Sequence, residues 1–290
     1  MTEFATIERA RSMMFVPASK PKMLAGVEGL DADVVVLDLE DGVAPDLKNE
    51  ARDSVVELRN DGFPRFERMW AVRINPPDTP WHEADMQAVA ELKPPLVAIP
   101  KAEDASDVAR ICDRLAAHGT QTAIMLETAV GVGRVRELVA AHPSIAMLVL
   151  GAADLRRSLG ARLDPDRRWE AYSLGEILIA ARMHGKLAID GVYFHFRDID
   201  GLESAAGFSR DLGFDGKSCI HPSQIDSINR VYSSSEKEIE WANAVLQAWE
   251  AEDARGRSII VVDGEMIELL HVDIARRILA RAPNDDFWNT

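Results

Sequence analysis

Residues 33–40 read DVVVLDLE, and Asp41 and Gly42 follow directly. Three valines and two leucines in so short a run leave no face for water, so this is a strand covered on both sides, as strands of parallel sheets are. The run then breaks into acid at Asp38, Glu40 and Asp41, where a buried strand emerges into a loop. Seven more runs of this kind lie on either side: SMMFVPA (12–18), MWAVRIN (69–75), LVAIPK (96–101), TAIMLET (122–128), IAMLVLGAA (145–153), IDGVYFH (189–195) and GKSCIHP (216–222). Between them, segments such as EADMQAVAEL, ASDVARICDRLAAHG and EILIAARMHG carry apolar residues three and four apart and read as helices. Strand and helix therefore alternate, the pattern of a parallel sheet wrapped by helices. Eight units close a sheet without leaving edges, so a (β/α)8 TIM barrel is expected over residues 1–232.

The segment from 233 to 290 reads differently. Ile239, Ala242, Leu246 and Trp249 recur at helical spacing behind a run of serines, IIVVDGEMIE suggests a hairpin, and LLHVDIARRILARA a last helix. It is expected to be a C-terminal extension, a lid over its own or a neighbouring subunit's active site.

Composition narrows the function classes. The chain has 290 residues, 47% of them apolar and 28% charged, which is ordinary for a globular protein. No apolar run approaches the ~20 residues that span a bilayer, and the opening MTEFATIERARSMMF lacks the core of a signal peptide, so the cytoplasm is the expected location. A formal net charge of −15 argues against nucleic acid and anionic membranes as partners. Two cysteines, Cys112 and Cys219, make neither a disulfide framework nor a zinc cage. GVGRV at 131–135 is a truncated match to a phosphate loop, and no GxGxxG follows the first strand.

Barrel enzymes carry their chemistry at the carboxyl ends of strands. Here those ends hold Asp38, Glu40 and Asp41, then Arg73 and Asn75, Lys101, Glu127, Asp154 after Gly151-Ala152-Ala153, and His221. Glu127 and Asp154 lie on neighbouring strands and point toward a shared place. Two carboxylates there repel unless a divalent cation joins them, and oxygen-only ligation favours Mg2+, with Mn2+ as the alternative. The competing reading is a pair of acids neutralised by lysine or arginine. Arg73 presents a planar fork suited to a carboxylate or 2-oxo acid, or else it pairs with an acid such as Glu40. Glu40 and Asp41 taken alone read equally well as helix caps. His221, before Pro-Ser-Gln, reads as a structural histidine at a helix start rather than a base.

With these residues placed, the chain resembles the citrate lyase β-subunit-like family, relatives of malyl-CoA and citramalyl-CoA lyases in the phosphoenolpyruvate/pyruvate-binding barrel superfamily. RSMMFVPAS, VVVLDLEDGVAPDLKNEAR, VRIN, IPKAE, IMLETAVGV, LGAADL, GFDGKSCIHPSQI and DGEMIE carry the likeness from about residue 11 to about residue 280. The resemblance implies that Glu127 and Asp154 bind Mg2+ and that Arg73 holds the 2-oxo acid. It implies that Glu40 and Asp41 act near the metal's water, and that backbone N–H groups around Gly151, Ala152, Ala153 and Asp154 bind the oxo acid. Lys20, with Lys22 beside it, is implied as a CoA phosphate partner. Where the family has a C-terminal GxMID motif, this chain has Gly264-Glu265-Met266-Ile267-Glu268, so the implied acid is Glu268, one methylene longer.

The function so implied is carbon–carbon cleavage of a β-hydroxyacyl-CoA to a 2-oxo acid and an acyl-CoA, or the reverse condensation, in a homotrimer or hexamer. The alternatives are a malyl-CoA-type thioesterase, a citrate lyase β-like subunit serving an acyl carrier in a larger complex, and a metal-dependent pyruvate aldolase without CoA. The lack of a histidine at the DLEDG strand end speaks against the last.

Overall fold

The computed structural model describes residues 9–60, 62–63, 69–164, 167–253 and 258–282. Two compact units are present, Met1–Asn229 and Arg230–Thr290. The first is a closed barrel of eight parallel strands: β1 (Ser12–Pro17), β2 (Val34–Asp38), β3 (Met69–Arg73), β4 (Leu96–Ile99), β5 (Gln121–Leu126), β6 (Ile145–Leu150), β7 (Leu187–Asp190) and β8 (Gly216–Cys219). Each strand pairs with the next, and β1 closes the circle on β8 through Ser12↔Lys217 to Met14↔Cys219.

Helices fill the gaps in chain order: α1 (Pro21–Leu24), α2 (Lys48–Asn60), α3 (His82–Leu92), α4 (Ala105–Ala116), α5 (Ala129–Gly133), α6 (Val135–Ala140), α7 (Ala152–Leu159), α8 (Ala171–Met183) and α9 (Ile199–Leu212). Local chemistry sets several of their ends. Asp104 caps α4 by accepting from the N–H groups of Ser106 and Asp107, and Asp198 caps α9 by accepting from Gly201 N–H. Gly213, at φ +113, stops α9 in a left-handed conformation that glycine adopts without a Cβ penalty.

Pleating sends alternate side chains inward. Met13, Phe15, Val34, Val36, Ala71, Leu96, Ala98, Ala123, Met125, Met147, Val149 and Ile189 form the buried core inside the barrel. The same alternation carried two residues further puts Asp38, Arg73, Glu127 and Gly151 at the top of that lumen. The outward face of β7 and β8 buries charge instead. Lys217 Nζ donates to Asp190 at 2.6 Å, and Arg167 grips Asp190 at 2.8 and 2.6 Å, so the charges are paired where they leave water.

Seven strands end one to three residues short of their sequence readings, β6 at Leu150 with Ala152 already opening α7, and β7 departs further. The expected strand at 189–195 is β7 at Leu187–Asp190, and Gly191–His195 is loop. Aromatic and β-branched residues made VYF look like a strand, yet pairing to β6 uses Leu187, Ala188 and Ile189. Gly191 then packs so tightly on α7 that an added Cβ would lie 2.7 Å from Ala152 Cβ, and the chain turns over the barrel mouth. Helix α8 also begins earlier than EILIAARMHG suggests, at Ala171.

Helix α10 (Ile225–Tyr232) leads out of the barrel into α11 (Glu236–Asp253), β9 (Ile260–Val262), β10 (Glu265–Ile267) and α12 (Leu269–Ala280). β9 and β10 pair antiparallel through the two-residue turn Asp263-Gly264, at φ +48 and +84. Positive φ at both central residues is the turn that matches hairpin twist, which is why Asp-Gly signals it. Ala242, Val245, Ile260, Ile267, Val272 and Ala275 form this unit's own small core.

Candidate active site

The carboxyl ends of the strands surround a cavity of about 290 Å3, walled on its apolar side by Phe15, Met125, Leu150, Val192, Phe194 and Ile220. Asp38, Asp41, Arg73, Glu127 and Asp154 give it a polar side, and Gly151, Ala152 and Ala153 form part of its floor. Arg73, Glu127 and Asp154, singled out in the sequence, thus share one cavity.

Arg73 is the best anchored of them. Its Nε donates to Asp38 Oδ1 at 2.7 Å and Nη2 to Asp38 Oδ2 at 2.6 Å, a two-point pair between adjacent strands whose residues are in register. Nη1 lies 3.1 Å from Glu40 Oε2, and the guanidinium sits 4.9 Å over the Phe15 ring. Burial works against its charge, but Asp38 and Glu40 outweigh burial and hold the guanidinium above its ordinary range.

Asp38 is the residue that sequence reading undervalued: Glu40 was the acid named as an alternative partner of Arg73 and does lie 3.1 Å from it, but the two-point pair is made by Asp38. It also accepts from the N–H groups of Glu40 at 2.8 Å and Gly42 at 2.9 Å, so one carboxylate shapes the whole DLEDG loop. A Cβ at Gly42 would lie 2.3 Å from Asp38 Oδ2, which is why the loop needs glycine there. The available signal was the pleat, because Asp38 shares its face with Val34 and Val36 and so points into the lumen.

Lys48 braces the same loop from beneath, donating to the carbonyls of Leu39 and Glu40 at 2.7 and 2.8 Å and to Asn75 at 2.7 Å. Burial lowers its pKa, although Asp38 and Glu40 oppose the shift.

Glu127 is buried and rises just past β5. Its Oε1 accepts from Lys101 N–H at 2.7 Å. Its Oε2 faces Gly151, where a Cβ would come within 2.3 Å of it, so the carboxylate stands where only glycine leaves room. Burial pushes the Glu127 carboxyl up to about 7, with Arg73 opposing and Glu40 adding to the rise. Asp154 stands in the first turn of α7, and its Oδ1 accepts from Arg157 at 2.7 Å. The competing reading, an acid neutralised by arginine, therefore holds for part of Asp154, whose side chain remains 20% exposed toward the cavity.

Lys101 lies just beyond β4 with φ +48, a left-handed conformation that costs a non-glycine residue about 1–2 kcal/mol. Its ammonium pairs with Glu40 and reaches Asp41 at 3.2 Å. Burial raises the Glu40 carboxyl against the pull of Arg73 and Lys101, whereas Lys101 draws the more exposed Asp41 down despite burial. The sequence marked Lys101 as a charged strand end and gave it no role.

The remaining candidates lie as follows. Gly151 N–H donates to Leu126 O at 3.2 Å, and Ala152, Ala153 and Asp154, which line the cavity, form the first turn of α7, whose N–H groups have no partner within the helix. Lys20 and Lys22 are exposed at α1. His221 accepts from Ser223 N–H at 3.2 Å as a cap and stacks on Phe196 with ring centroids 4.5 Å apart, a structural role. Cys112 and Cys219 are buried thiols. Glu268 belongs to the second unit, where its N–H donates to His271 Nδ1 at 3.0 Å at the head of α12.

Among the described residues no group of three or more His, Cys, Asp or Glu is placed to cage a metal. Two carboxylates on one cavity suit a different arrangement, in which a hard cation keeps water and substrate oxygens in its shell. A buried Glu127 whose ionisation is disfavoured is the kind of group that such a cation stabilises. The donor set therefore fits Mg2+. Among the described residues no helix is long and apolar enough to cross a membrane.

Residues 11–222 match the model of the HpcH/HpaI aldolase/citrate lyase family. The chain is 41% identical over 273 residues to a (3S)-malyl-CoA thioesterase of Cereibacter sphaeroides, covering 94% of each chain. It is 31% identical over 300 residues to an L-malyl-CoA/beta-methylmalyl-CoA lyase of the same organism, again covering 94% of each. Among solved structures, the CitE protein of Mycobacterium tuberculosis in complex with magnesium, acetoacetate and coenzyme A superposes with a TM-score of 0.80 at 32% identity. That match covers 95% of this chain and 99% of that one.

Proposed function

The chain belongs to the HpcH/HpaI aldolase/citrate lyase family, and from that premise we propose that it is a Mg2+-dependent carbon–carbon lyase of β-hydroxyacyl-CoA thioesters. Malyl-CoA and citramalyl-CoA are the substrate type, and a 2-oxo acid and a shorter acyl-CoA are the products, with condensation as the reverse. The observation that carries this reading is the meeting of Arg73, Glu127 and Asp154 on one cavity at the carboxyl ends of the strands.

Glu127 and Asp154 would hold the ion. When bound, it would polarise the substrate oxygen that alternates between alkoxide and carbonyl. Arg73, fixed by Asp38, grips the carboxylate of the oxo acid through the guanidinium N–H groups that Asp38 and Glu40 leave free. The N–H groups of Ala152 and Ala153 at the head of α7 add donors and a favourable dipole for that anion. Glu40 and Asp41 would order water beside the bound ion. Phe15, Val192, Phe194 and Ile220 exclude bulk water from the acyl group. Glu268 delivers a proton to the enolate carbon in cleavage and removes it in condensation. Lys20 contacts a phosphate of CoA.

We also propose a homotrimer or hexamer in which the extension of one copy serves its neighbour. The apolar side chains that this chain exposes support association. Tyr172, Ile179 and Met183, exposed by 75%, 50% and 64%, lie along one stripe of α8, and Val261, Met266, Leu269 and Leu270 are exposed beside Glu268. Light scattering on the purified protein measures the assembly directly.

Hydrolysis of a malyl-CoA-type thioester is the second reading, and a specific observation favours it, namely the 41% identity to the (3S)-malyl-CoA thioesterase. The same site would serve, with an ordered water attacking the thioester carbon. Product analysis separates the two. Malyl- and citramalyl-CoA incubated with Mg2+ should yield glyoxylate or pyruvate with acetyl-CoA, and none with chelator. Free CoA appearing with intact malate would instead establish the thioesterase.

A further inference from the structure

We propose that Lys101 is a positioning residue that sets the balance between cation and anion binding at the barrel mouth, an inference that rests on the Mg2+ reading of Glu127 and Asp154. Two parts of the one residue act on opposite sides of the site. Its backbone N–H, turned by φ +48, holds Glu127 Oε1 at 2.7 Å. That fixes the carboxylate so that Oε2 alone is presented on the Gly151 side. Its ammonium meanwhile joins Glu40 and Asp41, which are consecutive in the chain and repel each other.

Glu40 is shared, since Arg73 Nη1 stands 3.1 Å from its other oxygen. Without the ammonium, both acids turn to the guanidinium, and Arg73 has less to offer an incoming carboxylate. Charge balance gives the same answer. Asp38, Glu40, Asp41, Glu127 and Asp154 gather at this mouth against the side chains of Arg73 and Lys101, with Lys48 under the loop and Arg157 on the outer side of Asp154, which still leaves the acids one in excess. A metal ion is drawn to that excess of acid, but an anionic oxo acid is repelled by it. Lys101 weakens the first interaction to permit the second. Its side chain is 26% exposed at the rim, so packing of the core gives no reason for a lysine there.

The consequence separates this role from a structural one, because removing the charge moves two affinities in opposite directions. Calorimetry should titrate Mg2+ into metal-free protein, and then oxalate, a planar chelating anion, into the Mg2+-saturated protein. Relative to wild type, Lys101→Met should bind Mg2+ about 3- to 10-fold more tightly and oxalate at least about 10-fold more weakly. Lys101→Arg should restore oxalate binding. Loss of both affinities together in Lys101→Met, or no change in either, overturns the inference while leaving the metal reading intact. A wild-type protein that binds no Mg2+ overturns that reading and this inference with it.

Discussion

Asp38 and Arg73 face each other across β2 and β3 in a two-point ion pair, with Nε–Oδ1 at 2.7 Å and Nη2–Oδ2 at 2.6 Å, at the cavity that both residues line. Both strands end at these residues, so the pair closes the top of the barrel core and aims the guanidinium at once. Asp38→Asn should therefore damage stability and binding together. Breaking one partner of a buried pair costs about 3 kcal/mol, which for a domain of this size lowers Tm by roughly 6–12 °C. Pyruvate affinity of the Mg2+-loaded protein should fall as well. Scanning calorimetry with an unchanged Tm would show that the pair does not anchor the fold.

If Glu127 holds the ion as proposed, metal binding should be sensitive to pH. Its carboxyl is held near 7 by burial, so below that pH Mg2+ must displace a proton, and its affinity should drop up to about tenfold per pH unit. Titrations at pH 6, 7 and 8 read this directly, and a flat profile contradicts it.

The same shift gives a stability trend of definite sign in metal-free protein. A carboxyl whose folded value lies above its unfolded one favours folding at low pH. That contribution is lost as pH rises from about 4.5 to about 7 and amounts to on the order of 3 kcal/mol. Glu127→Gln should lack this loss, so the two stabilities should diverge between pH 5 and pH 7 in urea melts. Parallel curves would mean that Glu127 is ionised throughout.

Gly151 tests the placement of that carboxylate without touching a charge. A Cβ there would lie 2.3 Å from both Glu127 Cβ and Oε2. Gly151→Ala should cost about 1–3 kcal/mol of overpacking and displace Glu127, weakening Mg2+ at least about tenfold. Retained Mg2+ affinity in a folded variant would remove Glu127 from the ion's shell.

Glu268 should separate chemistry from binding. Glu268→Gln should leave Mg2+ affinity unchanged and lower the rate of cleavage at least about 100-fold, as loss of a general acid does. Glu268→Asp shortens the reach by roughly 1 Å, which should also cost up to about 100-fold if alignment is set for glutamate. Equal rates for wild type and Glu268→Gln would exclude Glu268 as the acid.

Most of the barrel was legible in the sequence because parallel strands buried on both faces give nearly continuous apolar runs, which stand out even when short. The one misplaced strand, β7, shows the limit of that signal. VYF has every property of a strand, but a loop that lines an apolar cavity needs the same residues, and Val192 and Phe194 do so. Arg73, Glu127 and Asp154 were legible as charges at strand ends. Asp38 and Lys101 were in view and undervalued. The importance of Asp38 follows from the side of the pleat it occupies, and that of Lys101 from a positive φ at a position where nothing in Pro-Lys-Ala predicts one. Long-range pairing of this kind leaves no local trace in a single sequence.

The central claim is that Glu127 and Asp154 together hold one divalent ion beside Arg73. Electron paramagnetic resonance of Mn2+ added to the metal-free protein measures this without any assumption about substrate. The account predicts stoichiometric, Mg2+-displaceable Mn2+ binding by the wild type, absent from both Glu127→Ala and Asp154→Ala while their circular dichroism stays that of the folded barrel. Undiminished Mn2+ binding in either folded variant would contradict it.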